Sequence, residues 1–139
     1  MKACLGAQVG EGVYRTVFEC ALAQELVLKI AKHEITWNFA NVQEFTVWQA
    51  VQFTEMAKWF APCVDVSHGG LVLIQRKTEK VRAEELRRLL PKVPRFFTDL
   101  KAANWGRLDG RIVCHDYGNH LMLERGMGNV MRAADWADD

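Results

Sequence analysis

The hydrophobic and polar positions change rhythm several times along the chain. Ala3 to Val9 and Arg15 to Cys20 are β-prone pieces on either side of Gly10 and Gly12, which predicts a β-hairpin with a glycine-bearing loop. Glu25 to Ala31 is short and apolar, a buried strand interrupted by Lys29. From Thr36 to about Phe60 the spacing turns helical. Trp37, Glu44, Trp48, Val51, Glu55 and Trp59 fall on roughly one ridge, with Thr36 as the N-cap and Pro62 as the stop. The tryptophans on that ridge are expected to be core anchors. Two further strands, Cys63 to Val66 and Leu71 to Gln75, are joined by the turn signal Ser67-His68-Gly69-Gly70. The order β-β-β-α-β-β predicts an α+β fold: a small antiparallel sheet carrying a single helix on one face.

Gln75 to Glu79 reads as a connector. Val81 to Leu90 is amphipathic, with Leu86, Leu89 and Leu90 on one side and charges of mixed sign on the other; Pro91 and Pro94 close it. Trp105 to Cys114 has the pattern of a hairpin turning on Asp109-Gly110. After Gly118 only 21 residues remain, interrupted by Gly126 and Gly128 and ending in the acidic residues Asp135, Asp138 and Asp139.

Composition narrows the class. With 139 residues, half of them hydrophobic and a quarter charged, the chain can bury one real core. A formal net charge of +1 argues against strong non-specific nucleic-acid binding. No apolar run reaches transmembrane length, and Met1 to Gly6 is no secretory signal, so the expected location is cytoplasmic, away from membranes. Cys4, Cys20, Cys63 and Cys114 are widely spread without a C-x-x-C pair. Buried free thiols are expected, not a zinc site.

The candidate chemistry gathers late in the chain. Asp99-Leu100-Lys101-Ala102-Ala103-Asn104 places an acid five residues before an amide, and Asp116-Tyr117-Gly118 follows the hairpin. An acid, an amide, a hairpin and then an aspartate is the layout of a phosphoryl-transfer centre. Upstream, Gly10 and Gly12 read either as a flexible cover over phosphates or as an ordinary turn. Lys29 either snorkels to the sheet edge or has a carboxylate and a ligand to meet. Glu44, on the apolar stripe one turn before Trp48, is the candidate carboxylate. His33, His68, His115 and His120 are scattered, with His115 a packing residue on the last strand.

Taken in order, these pieces resemble the protein kinase superfamily over nearly the whole chain, from about Leu5 to Gly118. Gly10, Gly12 and Val17 (VGEGVYRTV) resemble its glycine-rich loop, Val27-Leu28-Lys29 its strand lysine, and Glu44 its helix glutamate. Leu71 to Gln75 resembles the strand entering the hinge, with Ile74 near the gatekeeper position. Asp99 to Asn104 resembles the catalytic loop and Asp116-Tyr117-Gly118 the metal-binding D-F-G. The resemblance implies a kinase-like N-lobe over residues 1–76 and a reduced C-lobe over residues 77–139 that carries both late motifs. Compact kinase-like chains of this kind resemble proteins of bacteriophage genomes, in which case the location is the host cytoplasm.

The implied roles follow residue by residue. Lys29, paired with Glu44, holds the α- and β-phosphates of ATP beneath Gly10, Gly12 and Val17. Ile74, Gln75 and Arg76, with Lys77, line the adenine pocket and offer backbone hydrogen bonds. Asp116 and Asn104 hold Mg²⁺, Asp99 orients and deprotonates the attacking hydroxyl, and Lys101 stabilises charge on the transferred group. The implied function is that of a minimal serine/threonine-type protein kinase acting on a protein substrate. The departures are equally specific. Arg15 stands at the third glycine, where it either obstructs phosphate binding or itself contacts a phosphate. Phe97-Thr98 replaces the expected His-Arg, no A-P-E follows Asp116, and the helical platform that docks peptides has no counterpart. Two alternatives stay open: a small-molecule kinase of the aminoglycoside phosphotransferase kind, and an inactive kinase-like module that blocks a partner such as a host protein. Homo-oligomerisation also stays open.

Overall fold

The computed structural model describes residues 2–118, 128 and 130–137. Gly126, His120, Asp138 and Asp139, singled out above, lie outside the described residues. The first strands are β1 (Leu5–Glu11), β2 (Arg15–Cys20) and β3 (Leu26–Ala31), followed by α1 (Ala40–Val51), β4 (Cys63–Val66) and β5 (Val72–Arg76). They form a five-stranded antiparallel sheet in the order β1-β2-β3-β5-β4. The α+β architecture with one helix packed on this sheet is therefore observed.

The helix is shorter than its sequence pattern. Trp37 has φ 60°, a left-handed conformation that no helix continues through. Asn38 then bonds back to the backbone: its Nδ2 donates to the Tyr14 and Lys32 carbonyls, and its Oδ1 accepts the Ala40 N–H at 3.3 Å. Thr36 is consequently not the cap, and Trp37, 80 % exposed, is not a core anchor. After Val51 the chain breaks and restarts as a 3-10 turn, Glu55–Trp59, with Thr54 accepting the Met56 N–H. The buried stripe of α1 is Asn41, Glu44, Val47 and Val51, whereas Trp48 and Trp59 pack at the edge of the core. Half of that stripe is polar, which explains why the tryptophan spacing marked the wrong ridge.

The second half is built from β6 (Glu79–Lys80), α2 (Ala83–Leu89), β7 (Lys92–Pro94), β8 (Trp105–Leu108), β9 (Arg111–Cys114) and β10 (Met131–Ala133). The hairpin β8–β9 turns on Asp109-Gly110, both at positive φ, as its dipeptide predicts, and β6 pairs with its β8 edge. In α2 only Leu86 is fully buried; Leu89 is 46 % exposed, so the three leucines do not share one covered side. The chain then returns: β10 pairs antiparallel with β7, and Trp136 packs edge-on against Trp105 while its Nε1–H donates to the Leu90 carbonyl.

One aromatic cluster joins the two halves. Phe60 stacks on Phe96 and meets Phe97 and Tyr117, and Phe97 meets Trp105. The Phe96-Phe97 pair leading into Asp99 is thus the core on which the late motifs are mounted. At Gly106 a Cβ would lie 2.3 Å from Thr78 Oγ1 and 2.8 Å from the Glu79 carbonyl, so glycine lets the connector lie flat on β8. Among the described residues no helix is long and apolar enough to cross a membrane.

Candidate active site

Register places the first site residues. Lys29 pairs with Val17 on one side and Leu73 on the other, and these share one sheet face with Arg15 and Gln75. That face meets α1. Asn41 locks the helix there: its Nδ2 donates to the carbonyls of Lys29, Gly70 and Leu71 at 2.9–3.1 Å. Gly70, at φ 75°, permits the turn, and a Cβ on it would strike Val42 at 2.6 Å.

One turn further along the helix, Glu44 is fully buried and collects donors from four parts of the chain, the most distant being Gln75 Nε2 at 3.5 Å. Lys29 Nζ lies at 2.7 Å, Arg15 Nη1 at 2.7 Å, and the backbone N–H groups of Tyr117 and Gly118 at 2.6 and 3.1 Å. Burial pushes the carboxyl up, but Arg15 and Lys29 outweigh it and hold Glu44 at about 2. The expected Lys29–Glu44 pairing is present, and the snorkelling reading of Lys29 is not: the side chain is buried. Lys29 also donates to the His115 carbonyl. Two of its three donors thus reach Glu44 and the segment carrying Asp116.

Asn104 brings the late motifs together. Its carbonyl accepts the His115 N–H at 2.8 Å and the Asp116 N–H at 3.4 Å, while its Nδ2 faces Asp99 Oδ2 at 3.5 Å. Leu100 and Ala102 are buried and Asp99 and Lys101 are exposed, so alternation along the loop turns its polar side chains outward. Burial and the nearby Lys29 charge lower His115 to about 4, which keeps its ring neutral. Asp116 is half exposed; one carboxylate oxygen takes Arg15 Nη2 at 2.9 Å. Neither a protein-family model nor a curated protein matches this chain.

Several expectations shift. Ile74 pairs with Leu28, on the face opposite Lys29, so it does not line a pocket shared with Lys29; Gln75 holds that position, with an unpartnered, buried Oε1. The backbone N–H groups of Arg76 and Lys77 are spent on the Pro62 and Glu25 carbonyls and are not open to a base. Gly10 and Gly12 both have ordinary φ, and a Cβ on either would make no close contact, so their own backbone does not require glycine. Arg15 does not present a free cation for phosphate: both terminal nitrogens are committed to Asn41, Glu44 and Asp116. Of the thiols, Cys63 and Cys114 are buried, while Cys4 and Cys20 are half-covered.

The sequence reading missed Asn41. Its position, one turn before Glu44 on the same helix face, is the signal that marks it. It also missed Tyr117 as a structural post: the hydroxyl donates to the Ala61 carbonyl and lies 3.1 Å from Cys63 Sγ. For a divalent cation, no three His, Cys, Asp or Glu side chains gather among the described residues. The half-exposed Asp116 carboxylate, one oxygen of which is held by Arg15, and Asn104 are the residues that would hold Mg²⁺, which takes one or two protein oxygens and fills its shell with phosphate and water.

Proposed function

We propose that this chain is a kinase-like, ATP-dependent phosphotransferase acting on a hydroxyl of a protein substrate. The observation that carries the reading is the buried Lys29–Glu44 pair, bonded directly to the backbone that presents Asp116. In a phosphoryl-transfer site a lysine fixed by a carboxylate serves as an oriented point charge for phosphates. Exposed Asp99, one hydrogen bond from Asn104, suits the orientation of an attacking hydroxyl. Exposed Lys101 suits the approach of an anion being transferred. Asp116 and Asn104 would hold Mg²⁺, which supplies charge neutralisation for the phosphates.

A second reading, an idle kinase-like binding module, is favoured by the Arg15–Asp116 contact and by the committed N–H groups of Arg76 and Lys77. One experiment separates the two. The purified protein is incubated with labelled ATP and Mg²⁺, alone and with cell lysate, beside Asp99→Asn and Asp116→Asn. Transfer that disappears in both variants supports the phosphotransferase. Absence of transfer favours the binding module, and absence of a thermal shift with ATP as well refutes the phosphotransferase. Lys29→Met is expected to weaken any ATP-induced stabilisation.

A further inference from the structure

Arg15 opens β2 on the sheet face it shares with Lys29, and its guanidinium is held from behind. Nη1 donates to Asn41 Oδ1 at 3.3 Å and Glu44 Oε2 at 2.7 Å; Nη2 donates to Glu44 Oε1 at 3.3 Å and Asp116 Oδ1 at 2.9 Å. Asn41 and Glu44 are fully buried and are themselves tied to β3, the turn before β5 and the 117–118 backbone. Asp116, with its side chain 52 % exposed, is the one partner in reach of solvent. The guanidinium is therefore fixed to the sheet and helix, while the carboxylate it meets can turn away from it.

A fixed cation beside a carboxylate opposes a metal ion in two ways. It takes one of the two oxygens, and it repels a second positive charge at short range. We propose that Arg15 sets the metal requirement of this site: it is a built-in counter-ion for Asp116, and a divalent cation loads there only by breaking the Arg15–Asp116 contact. The proposal rests on Asp116 being the metal ligand, as the proposed function has it. Because Arg15 cannot follow Asp116, a bound metal sits beside a standing positive charge. Metal alone binds weakly, and a polyphosphate arriving with it supplies the negative charge that offsets Arg15.

The test uses Mn²⁺ alone as probe, titrated into the full chain with free ion read by electron paramagnetic resonance. Arg15→Gln is expected to bind Mn²⁺ at least ~10-fold more tightly than the wild-type chain, the removal of one short-range repulsion. Arg15→Lys, which keeps the charge but loses the two-pronged grip, is expected to fall between. Adding Asp116→Asn to Arg15→Gln is expected to abolish the gain. Arg15→Gln binding no tighter than wild type overturns the proposal, as does a gain that survives Asp116→Asn. If Arg15→Gln does not fold, Arg15→Lys carries the comparison, and unchanged or weaker Mn²⁺ binding overturns the proposal. Failure of the phosphotransferase reading appears separately, as absence of an ATP-induced shift in the wild-type chain.

Discussion

Replacing Glu44 by Gln tests the electrostatic hub directly. The amide keeps an oxygen for the Tyr117 and Gly118 N–H groups but removes the charge that faces Arg15 and Lys29, both at 2.7 Å and both buried. Breaking a buried pair from one side costs ~3–5 kcal/mol, because the partner charges stay behind without compensation. Here two cations are left with one half-exposed carboxylate, Asp116, and the neutral oxygens of Asn41 and the His115 carbonyl, so a loss of about 4 kcal/mol is expected. That is a large part of the ~5–15 kcal/mol that holds a domain together. Arg15→Met alone is expected to cost about 2 kcal/mol, since Glu44 keeps Lys29 and two backbone donors. The double variant is then expected to cost about 2 kcal/mol less than the sum of the singles. Urea unfolding of all four proteins, followed by tryptophan fluorescence, measures this cycle. Additivity within ~0.5 kcal/mol would refute a direct Arg15–Glu44 interaction and the hub with it.

The remaining predictions concern the surroundings of that hub. His115 is held at about 4 against an ordinary value near 6.5, so the unfolded chain binds the proton more readily between those limits. Its stabilising effect is full above pH 6.5 and is lost as pH falls toward 4; His115→Gln is expected to flatten that limb of a profile of urea-unfolding free energy against pH, by an amount on the order of 3 kcal/mol. Gly106→Ala forces a Cβ onto Thr78 and the Glu79 carbonyl, and is expected to lower unfolding free energy by ~2–3 kcal/mol in the same urea titration. Trp136→Ala removes the ring packed on Trp105 and its bond to the Leu90 carbonyl; a loss of ~3–5 kcal/mol is expected, and a near-neutral result would mean the β10 return is not part of the fold.

Local chemistry was the legible part of the sequence. Asp109-Gly110 specified its hairpin because both residues tolerate positive φ, and the apolar run around Lys29 specified a buried strand. Glu44 was marked as a candidate partner for Lys29 by its place on the apolar stripe, their pairing was implied by the resemblance, and the fold brings the two within 2.7 Å. The errors arose where one residue overrode a periodicity. Asn38 draws the chain back onto the Tyr14 and Lys32 carbonyls, so the helix starts after Trp37 despite the ridge that the tryptophans suggested. Ile74 and Gln75 were assigned without a register, and the face a strand residue occupies reverses with a shift of one position. Arg15 was visible as a departure, but its partners could not be read, because Asn41, Glu44 and Asp116 come from three segments that only the fold brings together. The β10 return likewise depends on a pairing with β7 that no local pattern announces.

The hub also orders events during folding. Arg15 and Asp116 lie 101 residues apart along the chain, and Glu44 and the Tyr117 N–H 73 apart. While the last of these segments is still undocked, Arg15, Lys29 and Glu44 cannot all find their partners, and water must solvate what the protein does not. The sheet and α1 can assemble early as a loose frame, but their charged interior stays wet until residues 115–118 arrive. Closing so long a loop is entropically slow, and dehydration of the charges is deferred to that step. Residues 115–118 are therefore the segment that dries the site, and its charges stay dry only while that segment is seated.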